Sequence, residues 1–175
     1  VKPERNRKPR PPLDEEAVER LALFYVGRYA TTRAKLRFYL LRKLKERGWA
    51  GRRPPDFEGL AERLAELGYV DDRAFAAART AALQRRGYGV RRIVQAMRAA
   101  GVEDDEARLQ AEEGGWAAAL RFARRKRIGP FAERPAGPEG RAKAFAALLR
   151  AGHPPDLARR LLDATPHELP DWEEG

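Results

Sequence analysis

The sequence contains no cysteine and no serine. Without cysteine there is no disulfide framework, no thiolate zinc site and no cysteine nucleophile. Without either residue the usual acyl-transfer constellations cannot be assembled. Histidine is limited to His153 and His167. Each adjoins a proline in loop-like sequence, and both read as solvated bystanders rather than bases or ligands. No apolar run approaches the roughly 18 residues of a membrane span, and no secretory core follows the basic start. A soluble cytoplasmic protein with no membrane partner is expected. The chain begins with Val1 rather than Met, which leaves room for residues upstream. A phosphate-cradling loop is missing too. Gly87-Tyr88-Gly89 lacks the third glycine, and Gly114-Gly115 lacks a preceding strand. Sustained β-alternation and Asn-Gly or Asp-Gly hairpin signals are absent.

Carboxylates are what remains for enzyme chemistry. Asp71-Asp72, with Glu66 nearby, could hold Mg²⁺, and Glu103-Asp104-Asp105-Glu106 is a second acidic run. Both sit where helices start. Asp71 fits an N-cap, and Asp72 suits the positive end of the helix dipole. The chain is therefore expected not to be an enzyme and to carry no cofactor or metal. A carboxylate-dependent nuclease is the one enzyme class left standing.

What the sequence does have is polarised charge. The net charge is +10 over 175 residues, but it is not spread evenly. From Arg28 to Arg53 stand ten cations, Arg28, Arg33, Lys35, Arg37, Arg42, Lys43, Lys45, Arg47, Arg52 and Arg53, against the single acid Glu46. Residues 1–12 add five cations against one acid, and the rest of the chain is slightly acidic. A basic end on a near-neutral body points to a polyanion or an acidic protein surface. A second basic run, Arg121, Arg124, Arg125, Lys126 and Arg127, lies in the last third.

The apolar pattern is helical throughout. Residues 1–13 form a Pro-rich, basic arm expected to be flexible. Asp14 then opens a helix with Leu21, Phe24 and Tyr25 on one face. Thr32 caps a second helix lined by Leu36, Leu40, Leu41 and Leu44 and ended by Gly48. Truncating Leu44 to Ala is expected to cost about 2–5 kcal/mol as a core deletion. Asp56 caps a third helix with Leu60, Leu64 and Leu67 inward, stopped by Gly68. The pattern recurs twice. Asp71 opens a helix with Phe75, Ala78, Ala82 and Leu83; the next carries Val90, Ile93, Val94 and Met97 and stops at Gly101; a short one spans about Glu103 to Glu112. The last cycle runs from Trp116 to about Ile128, then through Ala144, Phe145 and Leu148 to Gly152, and ends with Leu157, Leu161 and Leu162.

Gly48, Gly101 and Gly152 are 53 and 51 residues apart. Four residues before them stand Leu44, Met97 and Leu148; seven before, Leu41, Val94 and Phe145; eight before, Leu40, Ile93 and Ala144. A period near fifty, built from short helices, reads as a tandem array. The predicted fold is all-α: three tandem three-helix repeats at 14–68, 69–113 and 114–165, forming an elongated, curved array with an acidic tail at 166–175.

The binding equipment lies mainly in the first repeat. A helix carrying Arg33, Arg37, Lys43 and Arg47 beside its apolar seam can track a phosphate backbone. Phe38 and Tyr39 read as core or half-buried, so Trp49, in a loop, is the better candidate to stack on a base.

Several of these residues also carry a family resemblance. Arg33-Ala34-Lys35-Leu36, Leu40, Lys43-Leu44 and Arg47-Gly48 resemble the first-repeat signature of the RecX regulatory proteins. Leu64, then Leu67-Gly68-Tyr69-Val70-Asp71-Asp72 and Phe75-Ala76, resemble that family's most characteristic motif. Gly87, Arg92-Ile93 and Gly101-Val102 continue the likeness, which spans roughly Ala17 to Leu162 and weakens in the third repeat. Thr32 stands where the family usually has Ser. The motif residues Leu36, Leu44, Gly48, Gly68, Tyr69, Asp71, Asp72, Phe75 and Ala76 read as structural. The resemblance implies tandem three-helix repeats, no catalytic residue, and a regulator of DNA recombination and repair. Such a regulator would bind the recombinase RecA and its DNA filament and mostly suppress strand exchange and ATPase activity. Single- or double-stranded DNA is a possible direct partner, and the chain is expected to act as a monomer. The alternative is a general or helix-turn-helix DNA-binding protein acting without RecA. It would need a recognition helix with Arg, Asn or Gln at its N-terminus, and only Arg33 is available.

Overall fold

The computed structural model describes residues 10–103, 105–134, 136–165 and 169. Among them the chain is all helical: α1 Glu15–Arg28, α2 Arg33–Arg47, α3 Phe57–Glu66, α4 Asp72–Arg85, α5 Val90–Ala99, α6 Asp105–Glu113, α7 Gly115–Lys126, α8 Pro138–Arg150 and α9 Pro155–Asp163. A single 3₁₀ turn, Gly129–Phe131, follows α7. The helices come in threes, α1–α3, α4–α6 and α7–α9. The chain divides into two compact units, Val1–Phe75 and Ala76–Gly175. The first holds α1–α3 and the start of α4; the second holds everything after.

Local chemistry places the helix starts. Asp14 accepts a hydrogen bond from the Ala17 amide at 2.8 Å, Asp56 from Gly59 at 2.9 Å and Asp71 from Ala74 at 2.9 Å. Thr32 does the same for Lys35 at 3.1 Å. Each satisfies one of the orphan first-turn donors. The three middle helices, α2, α5 and α8, give way at Gly48, Gly101 and Gly152, all with positive φ of +78°, +69° and +96°. Only glycine adopts that conformation without strain.

In the first unit Leu36 and Leu40 of α2 are fully buried against Val18 and Ala22 of α1 and Phe57, Leu60 and Leu64 of α3. Leu13, the last residue assigned to the flexible arm, is part of this core: it is fully buried, its amide donates to Gly48 O at 2.9 Å, and its carbonyl accepts from Ala50 at 2.8 Å. Three positions expected inward point out. Phe24 is exposed because α1 packs through Val18 and Ala22, which leaves Phe24 some 200° round the helix. Leu41 is exposed because it lies about 100° and 140° round α2 from the buried Leu40 and Leu36. Leu67 is the C-cap of α3, just past the last helical residue and before the turn at Gly68, and its side chain is exposed. Leu44 is half-buried.

The second unit is built on small residues. Ala118, Ala119 and Ala123 of α7, Ala144 of α8 and Ala158 of α9 are buried with Leu120, Phe122, Leu148 and Leu161. Ala78, expected to face inward from α4, is exposed; Ala76, Thr80 and Leu83 do the packing. The α8–α9 turn closes on the start of α5. Gly89, the residue before that helix, has no side chain to cap it. Instead the Gly89 amide donates to Ala151 O at 3.0 Å and the Arg91 amide to Gly152 O at 3.1 Å. The approach is close enough that a Cβ on Gly152 would lie 2.6 Å from the Arg92 nitrogen. His153 follows directly. Far from being a solvated bystander, it is fully buried, with Nε2 3.1 Å from Gly87 O. His167, and most of the acidic tail, lie outside the described residues.

Candidate partner and nucleic-acid interface

The ten cations between Arg28 and Arg53 gather on the first unit, but they are not equally available. Arg33 opens α2. Its backbone amide donates to Asp72 Oδ1 at 2.9 Å and its guanidinium Nε to Asp72 Oδ2 at 3.1 Å. Arg37 pairs with Glu58 at 2.5 Å, and Lys43 with Glu46 at 2.5 Å. Arg42 approaches the same Glu46 at 3.8 Å. The Lys43 hydrogen bond is the main reason the Glu46 carboxyl is held below the usual carboxylate range. Arg47 donates through Nε to Pro11 O at 2.8 Å and so ties the incoming chain to α2. Lys35 lies over the Phe75 ring at 4.7 Å and Arg28 near the Tyr29 ring at 5.9 Å. Arg52 and Arg53 are held by their backbone, both amides donating to Glu15 Oε1, and their side chains stay exposed. Hydrogen bonds from the residue's own amide and from Arg53 and Arg52 keep Glu15 below the usual range. Lys45 is exposed and has no ion pair among the described residues.

Of the aromatics, Tyr39 is half-buried as expected, whereas Trp49 and Phe38 are placed differently. Trp49 is half-buried against the core and its indole N–H donates to Arg53 O at 2.8 Å, so it is not a free stacking ring. Phe38, expected to be inward, is 70% exposed. Tyr39 stacks on Tyr25 of α1 with ring centroids 4.2 Å apart and planes within 14°.

The motif Leu64–Ala76 now has a physical account. Leu64 and Val70 are buried. Gly68, at φ +77°, turns the chain out of α3 while the Tyr69 amide returns to Leu64 O at 2.9 Å. Asp71 caps its own helix α4, whereas Asp72 reaches 39 residues back to cap α2. Phe75 sits under Lys35, Ala76 is fully buried, and Tyr69 is exposed. By position alone Asp72 is a dipole partner of its own helix. Nothing local signals the tertiary bond, although a second carboxylate directly after a cap is the available hint. The two aspartates are thus engaged in holding helix ends. Among the described residues no cluster of three or more His, Asp or Glu could hold a metal.

The second basic run lies at the end of α7. Arg124, Arg125, Lys126 and Arg127 are exposed and Arg121 is half-buried. Arg125 lies 5.7 Å from the Phe122 ring centre, and Arg127 reaches Glu133 at 2.8 Å. Arg127 adopts φ +51°, the one left-handed non-glycine residue among those described.

Comparison with known proteins agrees with this architecture. Residues 71–108 match the family model described as RecX, second three-helix domain. The Regulatory protein RecX of Myxococcus xanthus is 33% identical over 94% of this chain and 91% of its own length. That of Agrobacterium fabrum is 26% identical over 86% and 84%. The crystal structure of RecX from Lactobacillus salivarius superposes with a TM-score of 0.60 at 19% identity, covering 85% of this chain and 96% of that one, and so shares the fold. No helix among the described residues is long and apolar enough to cross a membrane. On the strength of a match that spans nearly the whole length of both proteins, the chain belongs to the RecX family of regulatory proteins.

Proposed function

We propose that this chain binds RecA and its nucleoprotein filament, acts as a cytoplasmic monomer, and restrains recombinase and ATPase activity in DNA recombination and repair. The observation that carries the reading is the gathering of ten cations against one acid at 28–53 on the α1–α2 end of a RecX-family chain. That end suits a filament, which presents both phosphate and acidic protein surface. The basic run on α7 offers the second unit a contact of its own. Sequence-specific duplex reading has weaker support. The one cation at the start of α2, Arg33, is held by Asp72, and the helix has no Asn or Gln to read a base edge.

The test is RecA ATPase and strand exchange with and without this protein. Suppression that saturates with added protein is expected. No change at saturating concentration would refute the regulatory reading, and Mg²⁺-dependent cleavage of DNA by the chain alone would reinstate the nuclease.

A further inference from the structure

Of the eight large apolar or aromatic side chains that stand exposed among the described residues, seven belong to the first unit, with only Leu109 in the second. Apolar residues exposed singly are ordinary, whereas a contiguous stripe of them points to a contact surface. On α2 the exposed residues are ordered. Successive helical residues turn by about 100°, so Ala34, Phe38, Leu41 and Lys45 form one stripe opposite the buried Leu36 and Leu40. Phe38 is 70% exposed and Leu41 48%. Arg37 borders the stripe on one side and Arg42 on the other. The helix is therefore apolar on two opposite faces, and the unit's own core covers one of them.

We propose that the outer face of α2 is a docking helix that seats in an apolar groove of a protein partner whose rim carries carboxylates. The spacing i, i+4, i+7 of Ala34, Phe38 and Leu41 is that of a helix laid into a groove. Base stacking uses flat aromatic faces, and Ala34 and Leu41 offer none. Three of the neighbouring cations, Arg37, Lys43 and Arg33, share Glu58, Glu46 and Asp72 of this chain, so the stripe itself offers apolar surface before it offers charge. Lys45, exposed and with no ion pair among the described residues, stands at the end of the stripe, with Arg42, 3.8 Å from Glu46, on its flank, and a carboxylate rim complements them. A second copy of this chain would bring like charge against like. The proposal gives the RecA contact a face, and it rests on the function proposed above for its probe.

The experiment measures the affinity of the full chain for RecA without DNA, and for oligo(dT) without RecA. The wild type is compared with the Phe38→Ala/Leu41→Ala double variant, with Lys45→Glu and with Lys45→Arg. Truncating two anchors should weaken RecA binding by about tenfold or more and leave oligo(dT) binding unchanged and the chain cooperatively folded, since Phe38 is 70% and Leu41 48% exposed. Lys45→Glu should weaken RecA binding and Lys45→Arg preserve it. Equal RecA affinity in wild type and double variant would overturn the docking helix alone. So would a larger loss for oligo(dT) than for RecA, which would mark a base-stacking face. Self-association of the wild type that the double variant abolishes would assign the face to a second copy, against the proposal. Failure of the wild type to bind RecA at all would overturn both this inference and the function it rests on.

Discussion

Replacing Asp72 with Ala offers a sharp test of how the first unit holds its basic helix. The carboxylate makes two bonds to Arg33, one to the first backbone amide of α2 and one to the guanidinium. Losing a side-chain acceptor at a helix N-terminus costs about 0.5–2 kcal/mol. The charge pair adds less. The Arg33 side chain is 48% exposed and that of Asp72 19%, so solvent screening holds this part to about 0.2–1 kcal/mol. Asp72→Ala should therefore cost about 1–3 kcal/mol in urea unfolding. Asp72→Asn keeps an oxygen for the amide and should lose only the smaller part. Arg33→Ala leaves its own amide capped and should resemble Asp72→Asn. The order Asp72→Ala worst, with the other two close together, is the diagnostic result. Equal stability of Asp72→Ala and wild type, or an Arg33→Ala loss as large as that of Asp72→Ala, would refute the tertiary cap.

Other outcomes follow from burial and backbone geometry. Leu40→Ala, a fully buried truncation, should cost about 2–5 kcal/mol, while the half-buried Leu44 should cost about 1–2 kcal/mol; a denaturant series that reversed the two would contradict the orientation of α2. His153 is pushed below its ordinary value by burial, opposed by the hydrogen bond with Gly87 O. Its folded form therefore binds protons less readily than its unfolded form. That contribution to stability is whole above about pH 6.5 and declines as pH falls below it. Melting temperatures from pH 7.5 to 5 should drop more steeply for wild type than for His153→Asn. Gly152→Ala must place a Cβ against the Arg92 amide at φ +96°. A loss of at least about 2 kcal/mol is expected from the backbone conformation and clash together; an unchanged melt would show that the turn does not lie against α5.

The sequence made the helix boundaries legible because they are written locally. Asp14, Thr32, Asp56 and Asp71 cap as their positions suggest, and Gly48, Gly101 and Gly152 end helices at positive φ. The positions eight before each of these glycines, Leu40, Ile93 and Ala144, are all buried. The position seven before is less regular, with Val94 and Phe145 half-buried and Leu41 exposed. An outward-facing Leu41 and Phe38 carry the same apolar signal as core residues, so hydrophobicity alone cannot separate a contact face from a core face. The other misreadings are non-local. The buried His153 meets Gly87 O, 66 positions earlier, and Asp72 acts 39 positions back. The basic segment was fully visible as composition, but which of its cations are already paired depends on Glu46, Glu58 and Asp72 meeting them in space.

The closure of the α8–α9 turn on α5 bears on how such a chain can be shortened or recombined. In a solenoid each repeat leans on its neighbours through a packed interface. Here α5 borrows two acceptors, Ala151 O and Gly152 O, from the repeat that follows it. A chain cut after residue 113 would leave the amides of Gly89 and Arg91 without these partners and the Gly87 carbonyl without His153. The stretch from α5 to α9 is thus a single heritable piece, to be swapped between relatives together or not at all.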